Sequence, residues 1–192
     1  MLLQSLVALA KEDPYFRSED WGRRAVAGLA RPELKSEILD LLKRPDRHAH
    51  LSTLLLEAVR GSPLAAEIVP ELISLLENEN AVYLARYNAA KALLDGKIFV
   101  DWAVLLRKLS ASGDISSKRL VLEVMGQLDP NGLLSADIGD ALLDYHGVFR
   151  DEGPGHVVGC DYLLLKKLSS AHSADVLDRV VARIAAHCRS PH

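Results

Sequence analysis

The chain is short of cysteine, of aromatic residues, of long apolar runs and of net charge, and each shortage removes a class of protein. Two cysteines, Cys160 and Cys188, in 192 residues make no disulfide framework. The expected setting is therefore a reducing one, the cytoplasm, with both thiols reduced. Aromatic residues are 5% of the chain while hydrophobic residues are 49%. A core of Leu, Ala, Val and Ile suits helices packed on helices and argues against a sandwich or barrel, where branched and aromatic side chains dominate. No apolar run approaches the roughly 18 to 20 residues of a spanning helix, so no membrane is expected. A formal charge of -3 gives no global attraction to nucleic acid, which needs Lys and Arg to displace counterions. No segment shows the sustained alternation of a half-buried strand. Also missing are G-x-S-x-G, H-E-x-x-H and a dinucleotide fingerprint, so no motif asks for catalysis or a cofactor.

What is present is helical periodicity along a length that favours one domain, 1–192. Residues 1–10, MLLQSLVALA, end in Ala-x-Ala but lack a basic n-region, and read as an amphipathic first helix rather than a signal peptide. Ser18 can cap a second helix with Trp21 at its third position and Ala25, Val26 and Leu29 as the buried stripe. Pro32 opens a third through Leu34, Ile38, Leu41 and Leu42. Leu51, Leu54, Leu55, Ala58 and Val59 form a fourth, stopped at Gly61. Further stripes run through Trp102, Leu105, Leu106 and Leu109, then Leu120, Val121, Val124 and Met125, then about 135–145. The last two are Val157, Val158 and Leu163 to Leu168, and Val176, Val180, Val181 and Ile184. That makes roughly eleven helices, an all-α fold of five pairs with one left over.

The clearest unit is 67–96, EIVPELISLLENENAVYLARYNAAKALLDG. Ile68, Leu72, Ile73, Leu75 and Leu76 share one helical face, and Pro70 sits near the start, where a missing N–H costs little. Arg86, Ala89, Ala90, Ala92 and Leu93 spell R-x-x-A-A-x-A-L, small residues that let helix backbones approach, and Gly96 is a natural stop. Pro32, Glu33 and Leu34 recur as Pro70, Glu71 and Leu72, about 38 residues on. The frame also fits from Gly22, Ser52 and Lys118. From Asp161 it meets Lys167 in a place that should be apolar. This pattern resembles the HEAT family of helical repeats. The resemblance implies a right-handed α-solenoid of about five antiparallel helix pairs plus a terminal helix, a surface for binding a protein or peptide, with second helices lining the inner face. One departure is the turn between paired helices: where HEAT repeats commonly keep an Asp, Asn78, Glu79 and Asn80 stand, leaving Glu79 or nothing to pair with Arg86.

Candidate contacts on that inner face are Tyr83, Arg86, Tyr87 and Lys91, and, at comparable places further on, Lys118 and Arg119. Tyr83 and Tyr87 are either interface anchors or amphipathic filler across neighbouring helices. The loop 147–155, GVFRDEGPG, offers Phe149 and Arg150; its glycines lack the pattern of a phosphate loop. Basic clusters at Arg23 and Arg24, at Lys43, Arg44 and Arg47, and at Arg107, Lys108, Lys118 and Arg119 would form a nucleic-acid track only if all faced one way; otherwise they solvate an outer face. Asp137, Asp140 and Asp144 share a helical face and read as a solvated stripe or a site for a basic partner. His156 and Cys160, four apart, could meet His187 and Cys188 at a zinc ion, though half-buried Cys is more often packing. The leading reading is a non-enzymatic scaffold without cofactor or metal. The alternatives are a nucleic-acid-binding or base-excision enzyme with HEAT-like repeats, and a lyase or chaperone-like subunit for cofactor attachment.

Overall fold

The computed structural model describes residues 2–12, 26–44, 48–112, 114–149 and 160–189. Among them are eleven α-helices and no strand: α1 (Leu2–Glu12), α2 (Lys35–Lys43), α3 (Ala49–Val59), α4 (Leu64–Glu67), α5 (Val69–Glu77), α6 (Tyr83–Asp95), α7 (Trp102–Ala111), α8 (Ile115–Met125), α9 (Ser135–Phe149), α10 (Cys160–Lys167) and α11 (Ser170–Arg189). Short 3-10 turns occupy Ala27–Leu29, Pro32–Leu34 and Pro130–Gly132. The chain divides into two compact units, Met1–Val100 and Asp101–His192.

In the first unit α3 and α6 pack together at the centre. Neighbours of α3 are α1, α2 and the 27–29 turn; neighbours of α6 are α4 and α5. Being surrounded, α3 buries nearly its whole circumference, from Leu51 to Leu56 and again at Ala58 and Val59. Its buried Ser52 hydroxyl donates to the His48 carbonyl within the helix, the usual way to satisfy such a group without a second chain segment. Val26 and Leu29 are buried as their spacing predicts, while Ser18, Trp21, Arg23, Arg24 and Ala25 lie outside the described residues.

Proline sets two helix starts. Pro70 is the second residue of α5, and the chain breaks at Ile68 (φ -122°, ψ 26°) between α4 and α5. A proline at 70 has no N–H for the Ala66 carbonyl and its ring crowds that carbonyl, so one helix cannot run through 64–77. Pro32 opens a 3-10 turn, and α2 begins only at Lys35.

Two helix ends answer differently. Gly61, past the end of α3, takes the left-handed φ of 73° that glycine adopts freely. Past α6 that conformation falls to Lys97 (φ 50°), not to Gly96, which stays helical at φ -70°. The bonds Ile98 N–H to Leu93 carbonyl and Lys97 N–H to Leu94 carbonyl make the six-to-one and five-to-two pattern that closes a helix end. Space at Gly96 is tight: a Cβ there would stand 3.0 Å from the Ala92 carbonyl and 3.1 Å from the Ile98 side chain, so those neighbours would have to give by a few tenths of an ångström.

In the second unit α8 is central, packed on α7, α9 and α10, and α9 packs in turn on α11. Asp101 caps α7 by accepting from the Val104 N–H, and Asp114 caps α8 by accepting from the Ser117 N–H and hydroxyl. The R-x-x-A-A-x-A-L frame is a burial code in three helices. Leu55, Leu56, Ala58 and Val59 in α3, Ala89, Ala90, Ala92 and Leu93 in α6, and Val121, Leu122, Val124 and Met125 in α8 are all buried.

The frame fails at α10, where Leu164 is buried but Leu165 is exposed. Lys167 there sends its ammonium to the Gly126 carbonyl at the end of α8, 2.6 Å away. Asn131 braces the same junction, donating to the Asp129 carboxylate and the Lys167 carbonyl and accepting from the Ser169 N–H. Val176 of α11 is buried, but Val181 and Ile184, expected in its stripe, are exposed.

Candidate functional site

Because α6 touches α3, α4 and α5, only a narrow arc of its surface reaches solvent. Tyr83, Tyr87 and Lys91 occupy that arc at steps of four, each half-buried, and Val82 and Leu84 stand exposed beside its start. The two tyrosine rings stack, with centroids 6.3 Å apart and planes 16° from parallel. At the other end of the row the Lys91 ammonium lies 3.7 Å from Asp95, and Asp95 also takes the Arg60 guanidinium from the end of α3. The outward residues of α3 are His50 and Glu57, and Arg60 follows its last turn. The Arg60–Asp95 pair therefore joins the open rows of α3 and α6 side by side. The face has an aromatic and apolar end and a charged end, the composition of an anchor surrounded by polar contacts.

Arg86 does not belong to this face. It is 0% exposed, and its Nε donates to the Leu76 carbonyl at 2.9 Å. That carbonyl is in the last turn of α5, where backbone acceptors lack helical partners and the helix end carries partial negative charge. Arg86 thus closes α5 from inside and holds α6 against it. The turn between them is shaped by Asn78, whose side chain accepts from the Asn80 N–H.

Lys118 and Arg119 are on α8, in the second unit; Lys118 is half-buried and Arg119 pairs with Glu123 at 3.1 Å. The expected loop at 147–155 begins later, since α9 continues to Phe149, and Arg150 lies outside the described residues. So do His156, Val157, Val158, Arg23, Arg24 and Arg47. Cys188 is an exposed free thiol, and among the described residues no three His, Cys, Asp or Glu groups come together as metal ligands. No helix of the described residues is long and apolar enough to cross a membrane.

The acidic stripe of α9 is partly exposed, and arginines of the same unit already occupy it. Asp137 pairs with Arg107 of α7. Asp140 takes both arms of Arg179 at 3.0 and 2.9 Å, and Arg183 bridges Asp140 and Asp144 at 3.1 and 3.2 Å. The Arg179 hydrogen bonds, helped by those of Arg183 and opposed by burial, hold Asp140 below the ordinary carboxylate range. Gly139 makes this contact possible: a Cβ there would meet Arg179 Cγ at 2.9 Å. Basic residues elsewhere are likewise engaged, Lys43 with Glu71 and Lys35 with Glu67.

Sequence reasoning missed the Arg60–Asp95 tie, the inward turn of Arg86 and the arginine ladder on α9. Only the second left a local signal, since Ala85, Ala89, Ala90, Ala92 and Leu93 already cover most of α6. Comparison with protein-family models, with curated proteins and with solved structures finds no match.

Proposed function

We propose that the protein is a non-enzymatic protein-binding scaffold of the HEAT-like kind, a right-handed solenoid of about five antiparallel helix pairs plus a terminal helix. The observation that carries the binding reading is the stacked Tyr83–Tyr87 pair on the accessible arc of an otherwise buried helix. Two near-parallel rings beside Lys91 offer a partner large apolar area with little conformational freedom left to lose. The contact residues are Tyr83, Tyr87 and Lys91, with Lys118 and Arg119 as a separate candidate patch in the second unit.

The repeat reading is supported by how far apart bonded residues lie in sequence. Side-chain bonds between helices join residues separated by 32 (Lys35–Glu67), 35 (Arg60–Asp95), 39 (Arg179–Asp140) and 43 (Arg183–Asp140) positions. Each is about one repeat, as expected where a unit touches mainly its neighbours. The nucleic-acid alternative draws no support from Lys43, Arg107 and Arg119, each of which faces a carboxylate.

The test compares wild type with a Tyr83→Ser, Tyr87→Ser double variant in affinity capture from the native host, read by mass spectrometry. A partner held by wild type and lost by an equally helical variant supports the reading. Capture indifferent to the tyrosines, or salt-sensitive binding of duplex DNA at near-physiological ionic strength, overturns it.

A further inference from the structure

Of the chain's asparagines, Asn78, Asn80, Asn88 and Asn131, only Asn131 is followed by glycine. Asn-Gly is the pair in which an asparagine amide is most readily lost, because glycine has no side chain to block the approach of its backbone nitrogen and turns freely into the attacking geometry. Here every group that the reaction needs is engaged. Asn131 is exposed in the 3-10 turn Pro130–Gly132, where the Gly132 N–H donates to the Asp129 carbonyl at 3.2 Å. Its Nδ2 donates to the Asp129 carboxylate at 3.0 Å and to the Lys167 carbonyl at 3.2 Å, and its Oδ1 accepts from the Ser169 N–H at 3.0 Å. These bonds fix the amide plane, and the 3-10 backbone keeps the Gly132 nitrogen off Asn131 Cγ.

We propose that Asn131 is a deamidation site latched by the fold, and that its conversion is a one-way switch releasing α10 from the 130–132 turn. In the reaction the Gly132 nitrogen bonds to Asn131 Cγ, the Cγ–Nδ2 bond breaks, and Nδ2 leaves as ammonia with the proton from the Gly132 nitrogen. Water then opens the succinimide to aspartate or isoaspartate. Ring closure requires the turn to open and the side-chain bonds to break, so the folded chain reacts only through local opening. The product cannot latch again. A carboxylate has no N–H for the Lys167 carbonyl, and it would face the Asp129 carboxylate across the gap that now holds a hydrogen bond, where like charges repel. Isoaspartate also lengthens the backbone of the turn. What is lost is the tie from the turn to Lys167 and Ser169 at the α10–α11 corner. Helix α10 keeps its packing on α8 and the Lys167 bond to the Gly126 carbonyl, so the change is confined to this corner.

The test holds the full chain at mildly alkaline pH and follows the amide-to-acid mass gain at Asn131 by peptide mass spectrometry. Asn131 is expected to react about tenfold or more faster in guanidinium chloride than in the folded chain. Asp129→Ala, which removes one acceptor of Nδ2, is expected to speed the reaction in a chain of wild-type helix content. Gly132→Ala serves as the control for the route. A Cβ there would meet nothing within 4 Å, so the latch stays while the attack slows even in the unfolded chain. Asn131→Asp stands in for the product, and is expected to speed hydrogen exchange in α10 about tenfold with α8 unchanged. Equal rates in the folded and unfolded chain, a folded Asp129→Ala chain as slow as wild type, an unfolded Gly132→Ala chain as fast as wild type, or wild-type exchange of α10 in Asn131→Asp overturns the proposal.

Discussion

At Arg86 the fold has spent a charged side chain on its own backbone. Replacing it with Met keeps the stem but strands the Leu76 carbonyl in a buried place, and a loss of about 2–4 kcal/mol is expected in urea denaturation. Arg86→Lys should recover little of that, because a flexible ammonium does not reproduce the planar donor at its buried position. Lys97 runs the other way. Its left-handed backbone is disfavoured for any side chain but glycine, so Lys97→Gly should raise stability by about 0.5–1 kcal/mol, measurable as a shift in denaturation midpoint. Little of either was legible. An arginine among alanines in a helix reads as surface unless the helix is known to be surrounded. The rule that glycine ends a helix located the end of α6 at Gly96 correctly, while the left-handed residue proved to be Lys97. Tyr83, Tyr87 and Lys91 were legible because steps of four place residues in one row whatever lies around the helix.

Among the elements, α9 and α11 approach each other closely at Gly139. Gly139→Val would drive a side chain into Arg179 Cγ and Cβ, 2.9 and 3.2 Å from where its own Cβ must sit. Separation of the two helices and a loss of about 1–3 kcal/mol are expected. Hydrogen exchange should show the change first in α11. Periodicity found the central helices α3, α6 and α8 well, because a helix buried on most sides keeps its apolar residues whatever the partner. It misjudged α10 and α11, whose apolar residues exceed what their neighbours cover. Their pattern alone does not say which of two faces the chain itself will bury. The partners of the acidic row of α9 were not foreseen for a related reason: Arg179 and Arg183 lie 39 and 43 residues beyond Asp140 and Arg107 is on α7, all beyond the reach of any helical spacing rule.

For the molecule, the ladder makes part of the stability depend on pH. Asp140 titrates below its ordinary value when folded, so its contribution is complete above the unfolded value of about 3.9 and is lost as the pH falls from there through the folded one. Thermal melts of wild type should therefore decline more steeply below about pH 4 than those of Asp140→Asn, which has no proton to take up at that site. If the two decline in parallel, the ladder does not govern the acid response. The all-helical class and the central helices were within reach of sequence because they depend on local composition. The pairing of charges was not, because it depends on which helices become neighbours.

The Tyr83–Tyr87 stack also has an optical consequence. Two phenol rings held nearly parallel at 6.3 Å couple their electronic transitions, a contribution that a difference spectrum separates from the other aromatic groups. Near-ultraviolet circular dichroism should thus carry a band that disappears in Tyr87→Leu. Any molecule that seats on this face and parts the rings would announce itself spectroscopically, with no label attached.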